Sequence, residues 1–414
     1  MVHKITKLKA RQVLDSRGNP TVEVEVSADK FKGSAIAPSG VSVGKYEALE
    51  LRDKGNAFHG MSVLKTVENI NKIISKNLLG KDVTKQEVID NLLISLDGTP
   101  NKSIFGSNAS TAVSLASAAC AANSLGKPLY KYLGDKTIMP IPFCNIINGG
   151  KHSEGYLQLQ EIMIVPVKAR SFSEATQMVS EVYHTLKENI GDKYGKLATH
   201  VGDEGGFTPP VKTAQEALDL ISKAIKENGY EENIKFAIDA AASEFYTGAS
   251  YKVEPERTVN SDRLTDYYKD LVKKYPIISI EDPFDQDDFS AYKELRKKLR
   301  IQIVGDDLLV TNPTRIEYAI KEKLCNCLLL KVNQIGTLTE ALNAANLSRK
   351  AKWNVMVSHR SGETEDTFIA DLAVALGCGQ IKVGAPCRGE RTAKFNRLIR
   401  IEEELGKKAK YARF

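Results

Sequence analysis

The 414-residue sequence predicts an α/β protein in two parts, an amino-terminal α+β domain over residues 1–134 and a β/α barrel over residues 139–414. Three observations predict it. From Met139 onward, short apolar runs alternate with amphipathic helical stretches at roughly 25-residue intervals, about one strand-plus-helix unit of a barrel. Before that point, an alternating strand pattern is followed by helical periodicity. The chain is too long for one ordinary core, and the part after Met139 has the length of one barrel.

The segment Thr21-Val22-Glu23-Val24-Glu25-Val26 alternates apolar and charged residues, as a half-buried strand does. It follows the turn-rich Asp15-Ser16-Arg17-Gly18-Asn19-Pro20, so an antiparallel sheet opens the protein. Val63, Leu64, Val67, Ile70, Ile73 and Ile74 then recur at three- and four-residue steps, which predicts one face of a helix. Another helix is expected after the cap-like Asp82-Val83-Thr84, and a helix of small residues from about Ser107 to Ser124. In the second part the strand candidates are Phe236-Ala237-Ile238, Ile277-Ile278-Ser279-Ile280, Ile301-Gln302-Ile303-Val304, Leu328-Leu329-Leu330, Val355-Met356-Val357 and Gln380-Ile381. An open doubly wound sheet is the competing arrangement of the same units.

Composition excludes several classes. Hydrophobic residues make up 42% and charged residues 27%, the balance of a globular chain rather than a disordered one. The net charge of +6 is spread along the chain, with no zinc-finger spacing, basic zipper or aromatic RNA-binding motif, so no nucleic-acid partner is expected. The six cysteines form no Cys-x-x-Cys pair, which fits a reducing compartment, and Cys325-Asn326-Cys327 reads as buried strand. The start, Met1-Val2-His3-Lys4-Ile5, lacks a secretory apolar stretch, and the run from Ala112 to Ala122 is too short and too serine-rich to span a bilayer. A cytoplasmic protein without a membrane span is expected.

The strand candidates end at or beside Asp239, Glu281, Asp306, Lys331, His359 and Lys382. Active sites of β/α barrels lie at the carboxyl ends of the strands, so these six residues would converge on one mouth. Three carboxylates on neighbouring strands offer hard oxygen ligands, which suit magnesium or manganese. A lysine crowded by other cations has its ammonium form disfavoured and can act as a base. Metal beside lysine points to abstraction of a proton next to a carboxylate. No Walker loop or dinucleotide glycine motif is present, and Gly202-Asp203-Glu204-Gly205-Gly206 reads as a turn presenting Glu204.

Longer motifs sharpen this. Leu328-Leu329-Leu330-Lys331-Val332-Asn333-Gln334-Ile335-Gly336-Thr337-Leu338-Thr339-Glu340 resembles the signature of the enolases. Ser358-His359-Arg360-Ser361-Gly362-Glu363-Thr364-Glu365-Asp366, Val201-Gly202-Asp203-Glu204-Gly205-Gly206 and Asn145-Ile146-Ile147-Asn148-Gly149-Gly150 are similar to further motifs of that family. So are Leu14 to Glu23 at the start and Arg400-Ile401-Glu402-Glu403-Glu404-Leu405-Gly406 at the end, so the likeness covers essentially the whole chain.

The resemblance implies a TIM-like barrel of the enolase type and the magnesium-dependent, reversible dehydration of 2-phosphoglycerate to phosphoenolpyruvate. It implies that Asp239, Glu281 and Asp306 hold the tighter magnesium, and that a second ion arrives with substrate and meets Ser42 in a glycine-flanked lid. Lys331 would remove the C2 proton, Glu204 would protonate the departing C3 hydroxyl, and Glu161 would partner Glu204. Hydroxide is a poor leaving group, so Glu204 is expected to be protonated and its neighbour Glu161 to raise its pKa. Lys382 would face the substrate carboxylate, Arg360 and Ser361 the phosphate, with His152, Gln160 and His359 closing over the substrate. A homodimer or homo-octamer is implied. The chain departs from the family at Val41-Ser42-Val43-Gly44, where enolases commonly carry Ala-Ser-Thr-Gly, and in the loop Tyr246 to Tyr251. Two other readings remain open: a racemase or cycloisomerase of a non-phosphorylated acid, and a binding protein on the same scaffold.

Overall fold

A computed structural model describes residues 2–41, 44–153 and 155–414. The chain opens with an antiparallel sheet of three strands, Ile5–Leu14, Pro20–Ala28 and Phe31–Ile36, in that order. Asp15 shapes the first turn, its carboxylate accepting from the backbone N–H of Arg17 at 2.9 Å and of Asn19 at 3.0 Å. Val22, Val24 and Val26 point inward, as the alternation predicts.

The helix Ser107–Ser124 packs on this sheet. Its alanines and serines bring the two backbones unusually close. A Cβ placed on Gly33 would lie 2.1 Å from the backbone N of Cys120 and 2.6 Å from the carbonyl carbon of Ala119. Gly33→Ala is therefore expected to lower the unfolding free energy by about 1–3 kcal/mol, read as a reduced midpoint in urea. An unchanged midpoint would mean that sheet and helix separate at little cost.

The other helical expectations need correction in detail. The stretch after Val63 is a run of Leu64–Asn69, a π turn over Ile70–Ile74, and Ser75–Leu78. Val63, Ile70, Ile74 and Leu78 are buried, whereas Leu64 and Ile73 are exposed. The wider π turn shifts the buried face, so a single face cannot hold all six predicted positions. Asp82 does not cap the next helix, which spans Gln86–Asp97 behind Lys85; its carboxylate closes a local turn on the Thr84 N–H and hydroxyl.

The second part is a closed eight-stranded barrel, so the open doubly wound sheet is excluded. Its strands run Ile141–Asn148, Glu161–Val165, Lys235–Asp239, Ile277–Glu281, Gln302–Gly305, Cys327–Leu330, Asn354–Ser358 and Gln380–Lys382, and the last pairs with the first. All six predicted runs are strands. The unpredicted feature is Glu161–Val165, antiparallel to both neighbours. Because it runs backwards, its first residue, Glu161, reaches the mouth where the other strands end, in register with Asn148 and Asp239.

Amphipathic helices surround the barrel. The helix Ala214–Glu227 begins in a capping box, Thr213 with Glu216, and buries Leu218, Ile221 and Ile225. Cys325 and Cys327 are both buried, Cys327 as the first residue of its strand and Cys325 just before it. Below the barrel, Lys410–Tyr411 pairs with Ile138–Met139, and Phe414 packs on Phe143 with ring centroids 6.2 Å apart. The amino-terminal sheet is tied to the mouth by paired bonds between Ser39 and Gly362 (2.8 Å each way) and by Ser16 N–H donating to the Glu363 carbonyl at 2.7 Å. No helix among the described residues is long and apolar enough to cross a membrane.

Candidate active site

One buried cavity at the carboxyl ends of the strands is lined by His152, Gln160, Glu161, Glu204, Asp239, Lys331, Ser358, His359, Arg360, Ser361 and Lys382. It has room for about one water, ≈ 10 Å³. Strand register places several of these side chains: Glu281 is level with Asp239, and Ser358 with Lys382. Glu204 comes from a loop closed by Gly202 N–H donating to the Gly206 carbonyl at 2.8 Å. Both glycines are required there. A Cβ on Gly202 would lie 2.3 Å from the His152 carbonyl oxygen, and one on Gly206 would lie 2.2 Å from Asn148 Oδ1.

On one side of the cavity, lysines sit among the carboxylates. Lys382 Nζ is 2.9 Å from Asp239 Oδ2, 2.9 Å from Glu281 Oε1 and 3.2 Å from Glu161 Oε2. Lys331 Nζ lies 2.5 Å from Asp306 Oδ2, while Gln334 Nε2 donates to Asp306 Oδ1 at 2.7 Å. Burial disfavours both ammonium groups, yet the carboxylates outweigh it, with Lys331 raised and Lys382 raised well above the ordinary lysine value. As arranged here, then, the lysines are cations and not the neutral bases that crowding by cations would produce. Glu281 is pushed well above the carboxylate range by burial and by Asp239.

This side suits a divalent cation. Three carboxyls (Asp239, Glu281 and Asp306) are crowded around two lysine ammonium groups, an arrangement that a bound cation would relieve. Glu281 Oε2 is buried without a hydrogen-bond partner, and the donors are oxygens, as magnesium prefers. The predicted trio Asp239, Glu281 and Asp306 is not the tightest acidic group, because Lys382 bridges the first two and Lys331 holds the third. Among the described residues, the groups with ligand atoms within 4.8 Å of one another are His152, Glu161 and Glu204, and Asp282, Asp306 and Asp307.

Glu161, Glu204 and two histidines also line the cavity. His152 Nδ1 lies 3.6 Å from Glu161 Oε1 and 3.7 Å from Glu204 Oε1; His359 Nε2 is 3.4 Å from Glu204 Oε2. Asn145 Nδ2 donates to Glu204 Oε2 at 3.0 Å. Burial lowers the pKa of both histidines, His359 to about 4. Burial and the charge of Glu204 push Glu161 well above the carboxylate range. Burial also opposes charge on Glu204, but His359, His152 and Arg391 hold it well below that range. Of the two carboxyls, Glu161 is the one whose proton this arrangement holds more firmly.

At the third edge, Arg360 Nη1 pairs with Glu47 Oε2 at 2.8 Å and lies 3.3 Å from Asn333 Oδ1. Ser361 Oγ accepts from Val41 N–H at 2.8 Å, which brings the amino-terminal loop to the mouth. Ser42 itself lies outside the described residues.

A family model described as the enolase C-terminal TIM barrel domain matches residues 136–413, and one for the enolase N-terminal domain matches residues 5–133. The chain belongs to the enolase family. Its relatives include an enolase of Methanocaldococcus jannaschii, 59% identical over 412 residues, covering 99% of this chain and 97% of that one. Enolases of Thermococcus gammatolerans and Methanococcus vannielii are 56% and 54% identical, each over 97% of this chain and 95% of its own length.

Four residues of this enolase site were not singled out from sequence: Asn145, Glu47, Asp282 and Arg391. Asp282 has φ +40 and accepts from the N–H of Asp306 at 3.1 Å and of Asp307 at 2.6 Å, so it fixes the strand end that carries Asp306. Its position directly after Glu281 at a strand end was the available signal.

Proposed function

We propose that this chain catalyses the reversible dehydration of 2-phospho-D-glycerate to phosphoenolpyruvate, as a magnesium-dependent carbon–oxygen lyase of glycolysis and gluconeogenesis. The observation that carries the reading is one buried cavity lined both by Lys331, paired with Asp306, and by the carboxyls Glu161 and Glu204. Removing a C2 proton and a C3 hydroxyl requires a base and an acid within reach of one substrate.

On this reading, Lys331 takes the C2 proton, and Glu204, supplied with a proton through its pairing with Glu161, gives one to the departing hydroxyl. Lys382 faces the substrate carboxylate, and Arg360 and Ser361 hold the phosphate. His152, Gln160 and His359 enclose the substrate and exclude water. Asp239, Glu281 and Asp306 would hold one magnesium and Ser42 would meet a second. Bound magnesium supplies positive charge against the substrate carboxylate as its negative charge grows, and it lowers the proton affinity of the nearby lysines. The unit carrying the Ser42 loop is taken as residues 1–134 and the barrel as 139–414, in a cytoplasmic homodimer or homo-octamer.

The test is phosphoenolpyruvate formation from 2-phosphoglycerate, followed by ultraviolet absorbance. Excess chelator is expected to abolish turnover and added magnesium to restore it, because Asp239, Glu281 and Asp306 are unfavourable as crowded carboxylates without a cation. Full turnover after verified metal removal would overturn the metal assignment. No turnover in saturating magnesium would favour a reaction on a non-phosphorylated acid.

A further inference from the structure

Arg391 has no place in the proton transfers above, yet it is wholly buried, in a helix Gly389–Leu405 that is otherwise rich in surface charge. Its guanidinium touches both loops that form the Glu204 side of the cavity. Nη1 donates to the Arg360 carbonyl at 2.5 Å; Nη2 donates to the carbonyls of Ser361 at 2.6 Å and Asp203 at 3.0 Å. Nη1 also lies 2.6 Å from His359 Nδ1. This approach depends on Gly384, at φ +75. A Cβ there would sit 2.7 Å from the Glu204 carbonyl oxygen, 3.0 Å from His359 Cε1 and 3.1 Å from Arg391 Cδ.

The contact with Nδ1 has one chemical interpretation. A guanidinium carries only donors and keeps its charge at every relevant pH. Nδ1 must therefore present its lone pair, and the single proton of the neutral ring must sit on Nε2. That nitrogen is 3.4 Å from Glu204 Oε2. The other tautomer, or the imidazolium, would set N–H against N–H at 2.6 Å.

We infer that Arg391 is a positioning residue for the Glu204 side of the site: it fixes His359 as the Nε2–H tautomer aimed at Glu204 and ties the loop of Asp203 to that of Arg360 and Ser361. A ring held this way turns its Nε2–H toward Glu204, 3.4 Å away, and cannot itself take up the Glu204 proton without turning against a fixed cation. His359 is then an orienting donor, and proton delivery is left to Glu204. The catalytic half of this inference rests on the role proposed for Glu204; the tautomer does not.

The experiment is long-range proton–nitrogen NMR on the full chain labelled with ¹⁵N-histidine, with His359 assigned through His359→Asn. The wild type at neutral pH is expected to show His359 protonated at Nε2 alone. Arg391→Lys retains the charge but loses the fork of donors, and is expected to show a mixture of both tautomers. The same variant should lose roughly ten- to a hundredfold in phosphoenolpyruvate formation, the size of one charge-assisted hydrogen bond, while exchange of the substrate C2 proton changes far less. A purely structural role would lower both rates together.

An Nδ1–H ring or an imidazolium in the wild type overturns the inference, and that measurement stands even if the variant does not fold. A variant with the wild-type tautomer and wild-type elimination overturns it as well. If the wild type forms no phosphoenolpyruvate but the tautomer responds to Arg391→Lys, the proposed function fails and the positioning of His359 survives.

Discussion

Lys331→Ala is expected to lower kcat for phosphoenolpyruvate formation by roughly 10²- to 10⁴-fold, the usual contribution of a general base. No other amine can take its place. Lys382 is held by Asp239, Glu281 and Glu161, which keep its proton firmly bound. The substitution also deprives Asp306 of its 2.5 Å partner, leaving more uncompensated negative charge beside the proposed metal ligands. Magnesium affinity should therefore be kept or increased while turnover collapses. Calorimetric titration alongside steady-state kinetics separates this outcome from general damage, in which both would fall. A Lys331 variant with near wild-type kcat would remove the base from the account.

Glu204→Gln should cost a similar factor in elimination by a different route. The amide keeps the shape of the carboxyl but has no proton to give at neutral pH. Wild-type Glu204 is buried beside Glu161, and its charge contributes to the upward shift of Glu161. The amide is isosteric and can still accept from Asn145, so thermal stability should change little while kcat falls by roughly 10²- to 10⁴-fold. Retained elimination would assign the acid to another residue. Glu161, whose pKa burial and Glu204 push upward, would be the first to examine.

Much of the site was legible because barrel strands are apolar along their length and change character where they reach the mouth. Asp239, Glu281, Lys331 and Lys382 stand at or just beyond the ends of such runs; three of them line one cavity, and Glu281 pairs there with Lys382. The direction of Glu161–Val165 was not legible, since a short buried strand has the same pattern whichever way it runs. The buried face after Val63 was lost to a π turn that leaves no mark in periodicity. Ion pairing was hidden for a different reason. Sequence places Lys382, Asp239 and Glu281 at one mouth but cannot say that the ammonium lies between the two carboxylates. Arg391 was the least visible, because in Gly389–Leu405 it reads like Arg397 or Arg400, and only its burial against the Asp203, Arg360 and Ser361 carbonyls shows it to be interior.

The most direct test of the two-sided site is exchange of the substrate C2 hydrogen with solvent deuterium, followed by NMR in the wild type and both variants. Glu204→Gln is expected to exchange C2 hydrogen while forming almost no phosphoenolpyruvate, because its base side is intact. Lys331→Ala is expected to do neither. Normal C2 exchange in Lys331→Ala, or its complete loss in a folded, magnesium-binding Glu204→Gln, would contradict the division of labour between the two sides of the cavity.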